Sequence, residues 1–187
     1  METVYIKNMV CPRCIMAVRQ VLDQVGLSYS RIELGSVVLD TQPDKETLRT
    51  LEESLLPLGF ELVKTREMKL VESIKNTLVS LVSSEDAASS VNISDLISER
   101  TGEDYTKLSN LFSSIQGITI ERYFILLKIE KVKEWLSYGD YNISESAWKL
   151  GYSSIQHLSS QFKKVTGMTP SQYKKLSLKP RKSLDEL

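Results

Sequence analysis

Cys11 and Cys14 are the only two cysteines in the 187-residue chain. They lie in Met9-Val10-Cys11-Pro12-Arg13-Cys14, too close together to close a useful loop, so a disulfide framework is excluded and thiol chemistry remains. Pro12 suits the first turn of a helix, where its missing N–H costs nothing. A helix starting there points both sulfurs the same way at its N-terminus, where the dipole and Arg13 favour thiolates. Soft thiolates select Cu(I) or Zn(II). Two of them on an exposed loop suit near-linear Cu(I) better than a closed tetrahedral Zn(II) site, which needs four protein ligands. Redox enzymes share this spacing, so inert or redox-sensing thiols stand beside metal binding as alternatives.

A second set of residues is polar rather than reactive. Ala147, Leu150, Ile155, Leu158, Phe162 and Val165 fit one buried helical stripe, which turns Ser153, Ser154, Gln156, His157, Ser160, Gln161 and Lys164 outward, with Lys163 beside them. The same phase, some fifty residues earlier, buries Leu108, Leu111, Phe112 and Ile115 and exposes Tyr105, Thr106, Lys107, Ser109, Asn110 and Ser113. Small hydroxyls, amides and lysines are the chemistry of base-edge and phosphate contacts. His157 reads equally well as a surface histidine without a role.

These residues must be positioned by two kinds of element. Thr3 to Ile6 reads as a strand, and Ile15, Val18, Val21, Leu22 and Val25 as a helix ended by Gly26. Strand signals follow over Leu27 to Leu34 and Val37 to Leu39. Asp44 can cap a helix whose face is Leu48, Leu51, Leu55 and Leu58, stopped at Gly59 before a strand from Phe60 to Val63. The order is βαββαβ in about 65 residues, the ferredoxin-like split βαβ. Beyond Lys64 every signal is helical: Met68 to Val82, then a Ser-, Ala- and acid-rich loop over Ser83 to Asn92, then Ser94 to Arg100, Tyr105 to Ile115, Ile120 to Leu136, Ser144 to Leu150, Ser153 to Val165 and Pro170 to Lys175. Gly102 and Gly151 sit in the turns of two helix-turn-helix units, repeated at a spacing of about fifty residues.

Charge separates the halves. The chain has 24 Lys+Arg and 24 Asp+Glu, with His157 its single histidine. Residues 1–67 carry 8 basic and 10 acidic side chains, residues 68–145 carry 8 and 12, and residues 146–187 carry 8 and 2, the two being Asp185 and Glu186. The average excludes a uniformly basic nucleic-acid binder, whereas the acid-free run from Ser146 to Leu184 invites a phosphate contact or is simply a solvated face. With 41% hydrophobic and 26% charged residues the composition is that of a globular protein. The start, Met1-Glu2-Thr3-Val4-Tyr5-Ile6-Lys7, lacks a signal core, and nothing approaches the roughly 20 apolar residues of a membrane span, so a soluble cytoplasmic protein is expected.

The run from Ile143, Ala147 and Gly151-Tyr152-Ser153-Ser154 through Gln161-Phe162-Lys163-Lys164 to Gly167-Met168-Thr169-Pro170-x-x-Tyr173 resembles the DNA-binding domain of the AraC/XylS family of transcription regulators. Ile120 to Leu136 resembles that family's linker helix. This resemblance covers roughly residues 93–176 and implies a monomer placing two recognition helices in successive major grooves, roughly 34 Å apart. Glu99, Glu103 and Asp104 make the first unit acidic, and Leu158 stands where the family commonly has an aromatic. Residues 3–64, through Met9, Cys11, Cys14, Gly26 and Gly59-Phe60, resemble a heavy-metal-associated domain of the copper-chaperone type. The departures are Asn8 for Gly, Val10 for Thr, and a shortened turn over Glu33-Leu34-Gly35-Ser36.

The expected architecture is therefore an α+β ferredoxin-like βαββαβ domain (1–66), a connecting helix and loop (67–92), an all-α AraC-type domain of two helix-turn-helix units joined by a long helix (93–178), and a tail (179–187). The expected function is a sequence-specific DNA-binding transcription regulator responsive to a soft metal, Cu(I) before Zn(II), or to thiol state, through Cys11 and Cys14. The alternative is a copper-trafficking chaperone with an appended interaction module. No enzymatic activity is expected: a thiol oxidoreductase is disfavoured because the segment is too short for a thioredoxin fold and its motif holds no acid or base. The partners implied are double-stranded DNA, read in the major groove, and RNA polymerase. No membrane partner is expected, and oligomeric state stays open.

Overall fold

In a computed structural model of the chain, residues 2–84, 91–182 and 184 are described. They fall into two compact units, Met1–Asn76 and Thr77–Leu187.

The first unit runs β1 (Glu2–Lys7), α1 (Pro12–Val25), β2 (Tyr29–Glu33), β3 (Ser36–Leu39), α2 (Lys45–Leu55) and β4 (Glu61–Leu62). The four strands form one sheet in the order β2-β3-β1-β4, and every neighbouring pair is antiparallel. Alternation along β1 buries Val4 and Ile6, and along β3 buries Val37 and Leu39. These side chains share a core with Val18, Val21 and Leu22 of α1 and Leu51 and Leu55 of α2. Gly26 ends α1 in the left-handed region, and Asp44 caps α2 by accepting from the Thr47 N–H at 2.7 Å.

The end of α2 differs from expectation. The helix stops at Leu55 rather than running to Gly59, because Pro57 has no N–H to continue the ladder, and a 3₁₀ turn takes over Leu56–Leu58. Leu58 is thereby rotated off the apolar face and left 51% exposed. Gly35, in the β2–β3 turn, has φ +77, and a Cβ there would overlap the Asn76 carboxamide. Its carbonyl accepts from the Ile6 N–H at 2.9 Å.

The boundary between the units falls inside α3 (Arg66–Ser83), a helix close to the expected span. The loop expected over Ser83 to Asn92 falls largely on residues 85–90, which lie outside the described residues, as do Asp185 and Glu186. The second unit continues with α4 (Ile93–Thr101), α5 (Tyr105–Gln116), α6 (Ile120–Tyr138), α7 (Ile143–Lys149), α8 (Ile155–Thr166) and α9 (Pro170–Lys174). α6 packs on α5, α7, α8 and α9. It is accordingly buried on nearly every side, through Ile120, Tyr123, Phe124, Leu127, Ile129, Val132, Trp135 and Leu136. Glu130 and Lys133 pair within this helix at 2.6 Å, and Glu130 also accepts from the Lys182 N–H at 3.1 Å, so the buried charges are satisfied.

Candidate functional site

The thiol loop is shaped by its neighbours. Cys11 is the N-cap of α1, Pro12 follows in the first turn, and the Cys14 N–H donates to the Cys11 carbonyl at 3.0 Å, which brings the two sulfurs to 3.4 Å. The Cys14 thiol also donates to the Asn8 carbonyl at 3.8 Å. Met9, two residues before Cys11, is fully buried in the core of the first unit. Asn8 adopts φ +69, a left-handed conformation that asparagine tolerates better than most residues, and its carboxamide donates to the Gly59 carbonyl at 2.8 Å. The Asn8 side chain thus fastens the loop to the end of the 3₁₀ turn.

The two thiols are inequivalent. Burial pushes Cys11 up, but hydrogen bonds from the Cys14 amide and thiol, with the Arg13 amide and charge, outweigh it and hold the thiol below its ordinary value. Burial raises Cys14, and the neighbouring Cys11 sulfur raises it further against the Val10 and Cys11 backbone contacts. Cys11 is thus held lower than Cys14, and the two sulfurs share one contact. Among the described residues no group of three or more His, Cys, Asp or Glu side chains gathers at a metal-sized site. The two sulfurs, 3.4 Å apart, are a dithiol pair of the kind a soft ion takes as ligands. Metal–thiolate bonds are about 2.3 Å long, so an ion held between the sulfurs requires them to separate beyond 3.4 Å.

The second unit repeats one frame twice, with residue numbers that differ by 50. Asn92 and Asn142 cap α4 and α7, Asp104 and Ser154 cap α5 and α8, Gly117 and Gly167 end those helices, and Thr119 and Thr169 cap the helices after them. Leu108 and Phe112 are matched by Leu158 and Phe162, all fully or almost fully buried. The ring pairs Phe112–Tyr123 and Phe162–Tyr173 both have centroids 5.6 Å apart. Each aromatic pair fastens an outward-facing helix, α5 or α8, to the helix behind it.

Of the outward residues named from the sequence, Ser153, Ser154, Gln156, His157, Ser160, Lys163 and Lys164 are exposed on or beside α8, and Thr106, Lys107 and Asn110 are exposed on α5. Others are partly withdrawn. Gln161 is half-buried and accepts from the Tyr152 hydroxyl at 2.6 Å. Tyr105 donates its hydroxyl to Glu121 at 2.6 Å, and Ser109 and Ser113 are half-buried. Burial, then the Glu121 bond and charge, hold the Tyr105 phenol well above its usual range.

Three details of the helical reading are corrected. α8 begins at Ile155, not Ser153, because Ser154 is extended and accepts from the His157 N–H at 3.0 Å as the N-cap. Ile155 and Ile115, read as buried, are each 43% exposed. Both sit at a helix end, where the stripe has run past its packing partner. Val165 and Leu111 are half-buried. His157 contacts the Ser153 hydroxyl at 3.1 Å through Nδ1 and lies edge-on to the Tyr152 ring at 5.3 Å, which fixes the entry to α8.

The role of Lys128 is not visible in the sequence. From α6 its ammonium donates to the Leu150 carbonyl at 2.6 Å, at the C-terminus of α7, and lies over the rings of Phe124 at 4.5 Å and Tyr152 at 5.1 Å. It fixes the turn between α7 and α8. A lysine inside the apolar run Leu126-Leu127-Lys128-Ile129 was the available signal.

Residues 97–176 match the family model described as a helix-turn-helix domain. An uncharacterized HTH-type transcriptional regulator, YtdP, of Bacillus subtilis is 31% identical over 80 residues, which are 43% of this chain and 10% of that protein. The melibiose operon regulatory protein of Escherichia coli is 33% identical over 73 residues, 39% of this chain and 24% of that protein. This chain thus matches a quarter or less of the length of these relatives. The solved C-terminal domain of AraT, a response regulator from Geobacillus stearothermophilus, is similar in fold, with 24% identity, a TM-score of 0.50, and coverage of 59% of this chain and 87% of that one.

Proposed function

We propose that this chain, whose residues 97–176 match a helix-turn-helix domain, is a sequence-specific DNA-binding transcription regulator of the AraC type. The observation that carries this reading is the doubled frame, with α5 and α8 each held by a buried Phe–Tyr pair and each presenting a polar outer face. The second helix of such a unit is the one that enters the major groove, with its N-terminal residues nearest the base edges. In α8 that end offers Gln156, His157 and Ser160, and the last turn offers Lys163 and Lys164 for phosphates. In α5 the counterparts are Thr106, Lys107 and Asn110.

The N-terminal unit is read as a ferredoxin-like, heavy-metal-associated domain, supported by the βαββαβ order and the sheet order β2-β3-β1-β4. Cys11 and Cys14 would hold a soft ion, Cu(I) before Zn(II), and Arg13 and the α1 N-terminus favour the thiolate that such an ion needs. Coupling to DNA requires that the ion bind the DNA-competent and DNA-incompetent states with different affinity. Among the described residues no helix is long and apolar enough to cross a membrane.

The deciding experiment selects bound duplexes from a random pool with and without Cu(I), using Cys11→Ser, Cys14→Ser as control, and then measures the salt dependence of affinity. A preferred sequence should emerge. Replacing Lys163 and Lys164 by Gln should flatten the slope of log K against log salt by about 0.9 for each phosphate no longer neutralised. Equal affinity for every duplex would refute the regulator and leave room for the copper-trafficking alternative. A preferred sequence bound identically with and without Cu(I) would remove metal control and spare DNA recognition.

A further inference from the structure

The first unit contains a cavity that neither the thiols nor the helix-turn-helix frame uses. β4 is two residues long and pairs with β1 only at Ile6 and Lys7. The Val63 N–H then donates to the Tyr5 carbonyl at 2.8 Å, and the chain departs toward α3. Backbone polar groups alternate sides along an antiparallel strand, so Thr3, two residues before Tyr5, turns its N–H and C=O toward the edge that β4 no longer covers. The space between this part of β1 and α2 is a cavity of 370 Å³, within the roughly 300–1,000 Å³ of small-molecule sites.

Its lining is chemically divided. Val4, Leu48, Leu62 and Val63 supply apolar surface, and Lys45, Arg49, Lys64 and Lys69 supply positive charge. Two of these cations are already engaged, Lys64 with Glu52 and Arg49 with Glu53, both at 2.8 Å. Lys69 lies 5.8 Å from the Tyr5 ring centroid, and neither it nor Lys45 has a carboxylate partner among the described residues. Glu2 lines the same cavity, and its carboxylate has no ion-pair partner among the described residues. A ligand bringing an N–H to this carboxylate supplies the donor it lacks.

We infer that this cavity binds a small zwitterion with an apolar side group, the chemistry of a free apolar α-amino acid. The carboxylate meets Lys45 and Lys69, the ammonium donates to Glu2, and the side group lies on Val4, Leu48 and Val63. Anion, cation and apolar body are all required, because each end of the cavity's chemistry is otherwise unmatched. The inference goes beyond the DNA-binding reading and does not depend on it.

Isothermal titration calorimetry on the full chain, without DNA or metal, tests it with L-phenylalanine and L-leucine as probes. At least one should bind saturably. The matched analogues lacking the ammonium (3-phenylpropionate, 4-methylpentanoate) or the carboxylate (2-phenylethylamine, 3-methylbutylamine) should each bind at least tenfold more weakly. Glu2→Gln should weaken the amino acid at least tenfold while the ligand-free chain keeps a cooperative thermal unfolding transition. Lys45→Gln, at an exposed position, should do the same and keeps the test independent of any effect of Glu2 on folding. Absence of saturable binding by both amino acids, equal binding of the deaminated acid, or full affinity in both variants would each overturn the inference.

Discussion

Lys128 offers the most demanding test of how the second unit is held together. Burial lowers its pKa from 10.5 to about 8, while in the unfolded chain it titrates near 10.4. Between those values the unfolded chain binds more protons than the folded one, so stability rises with pH across the window. Below the folded pKa the whole cost of burying the ammonium is present, and above the unfolded pKa it is gone. A tenfold change in proton affinity is worth about 1.4 kcal/mol, and the part of the window between pH 7 and 9.5, discounted for a half-buried group, amounts to about 1–2 kcal/mol. Lys128→Met keeps the stem and deletes the charge. At pH 7 it gives up a charge-assisted bond to the Leu150 carbonyl, worth about 1.5–3 kcal/mol, and two ring contacts of about 0.5–1 kcal/mol each. It also escapes a desolvation cost of similar size, so the net change should be within about 1 kcal/mol. Trp135 and Trp148, the only tryptophans, both lie in the second unit, so urea unfolding followed by tryptophan fluorescence reports that unit. The wild type should gain about 1–2 kcal/mol more than the variant between pH 7 and 9.5. Parallel pH dependence in the two proteins would refute the argument from burial.

Ser154→Ala removes the α8 N-cap and should cost about 1 kcal/mol of second-unit stability, whereas Ser153→Ala, at an exposed position, should stay within about 0.5 kcal/mol; the same fluorescence titration separates them. Gly35→Ala forces a Cβ into a left-handed turn and against Asn76, and should lower first-unit stability by about 1–2 kcal/mol by far-ultraviolet circular dichroism. Asn76→Ala in the same background should return only the part due to overlap. The inequivalent thiols predict that substoichiometric iodoacetamide near pH 7.5 labels Cys11 ahead of Cys14, read by peptide mass spectrometry; equal labelling would remove the asymmetry.

Periodicity made most of the fold legible, because the apolar residues that set it are the ones that pack. Val18, Val21 and Leu22 with Gly26, or Leu108 and Phe112 with Gly117, define a buried face and a stop within one short segment. Failures occur where a distant or local competitor overrides the pattern. Pro57 ends α2 one turn early and releases Leu58, and the Ser154 cap moves the start of α8 and exposes Ile155. At the thiol loop the residue types were legible from Cys11 and Cys14. Their unequal pKa values were not, since these depend on which sulfur is the more buried and which amides reach it. The role of Lys128 was invisible for the same reason: its partner is a backbone carbonyl 22 positions away.

The fixed offset between the two frames also gives the net charge of zero a local meaning. Position for position, the cap region Glu103-Asp104 of α5 corresponds to Ser153-Ser154 of α8, and Ser113-Ser114 corresponds to Lys163-Lys164. Among the buried residues Leu108, Phe112 and Tyr123 recur as Leu158, Phe162 and Tyr173, whereas Ile97 and Ile120 are replaced by the smaller Ala147 and Pro170. Charge therefore differs where solvent or a ligand is the neighbour, while the ring pair and leucine that hold each outward helix stay the same. In α8 the two lysines sit in the last turn, where a helix dipole already favours cations. That placement accounts for positive charge at this end, but it does not account for the removal of both acids from the other end, where the dipole favours them. Losing Glu and Asp at a helix N-terminus gives up local stabilisation, and a polyanion approaching that end offsets the loss by supplying the negative charge itself. The acidic cap of α5 keeps its local stabilisation and repels the same polyanion. On a duplex reached by both helices, α8 would carry most of the phosphate attraction, and α5 would contribute through shape and neutral hydrogen bonds.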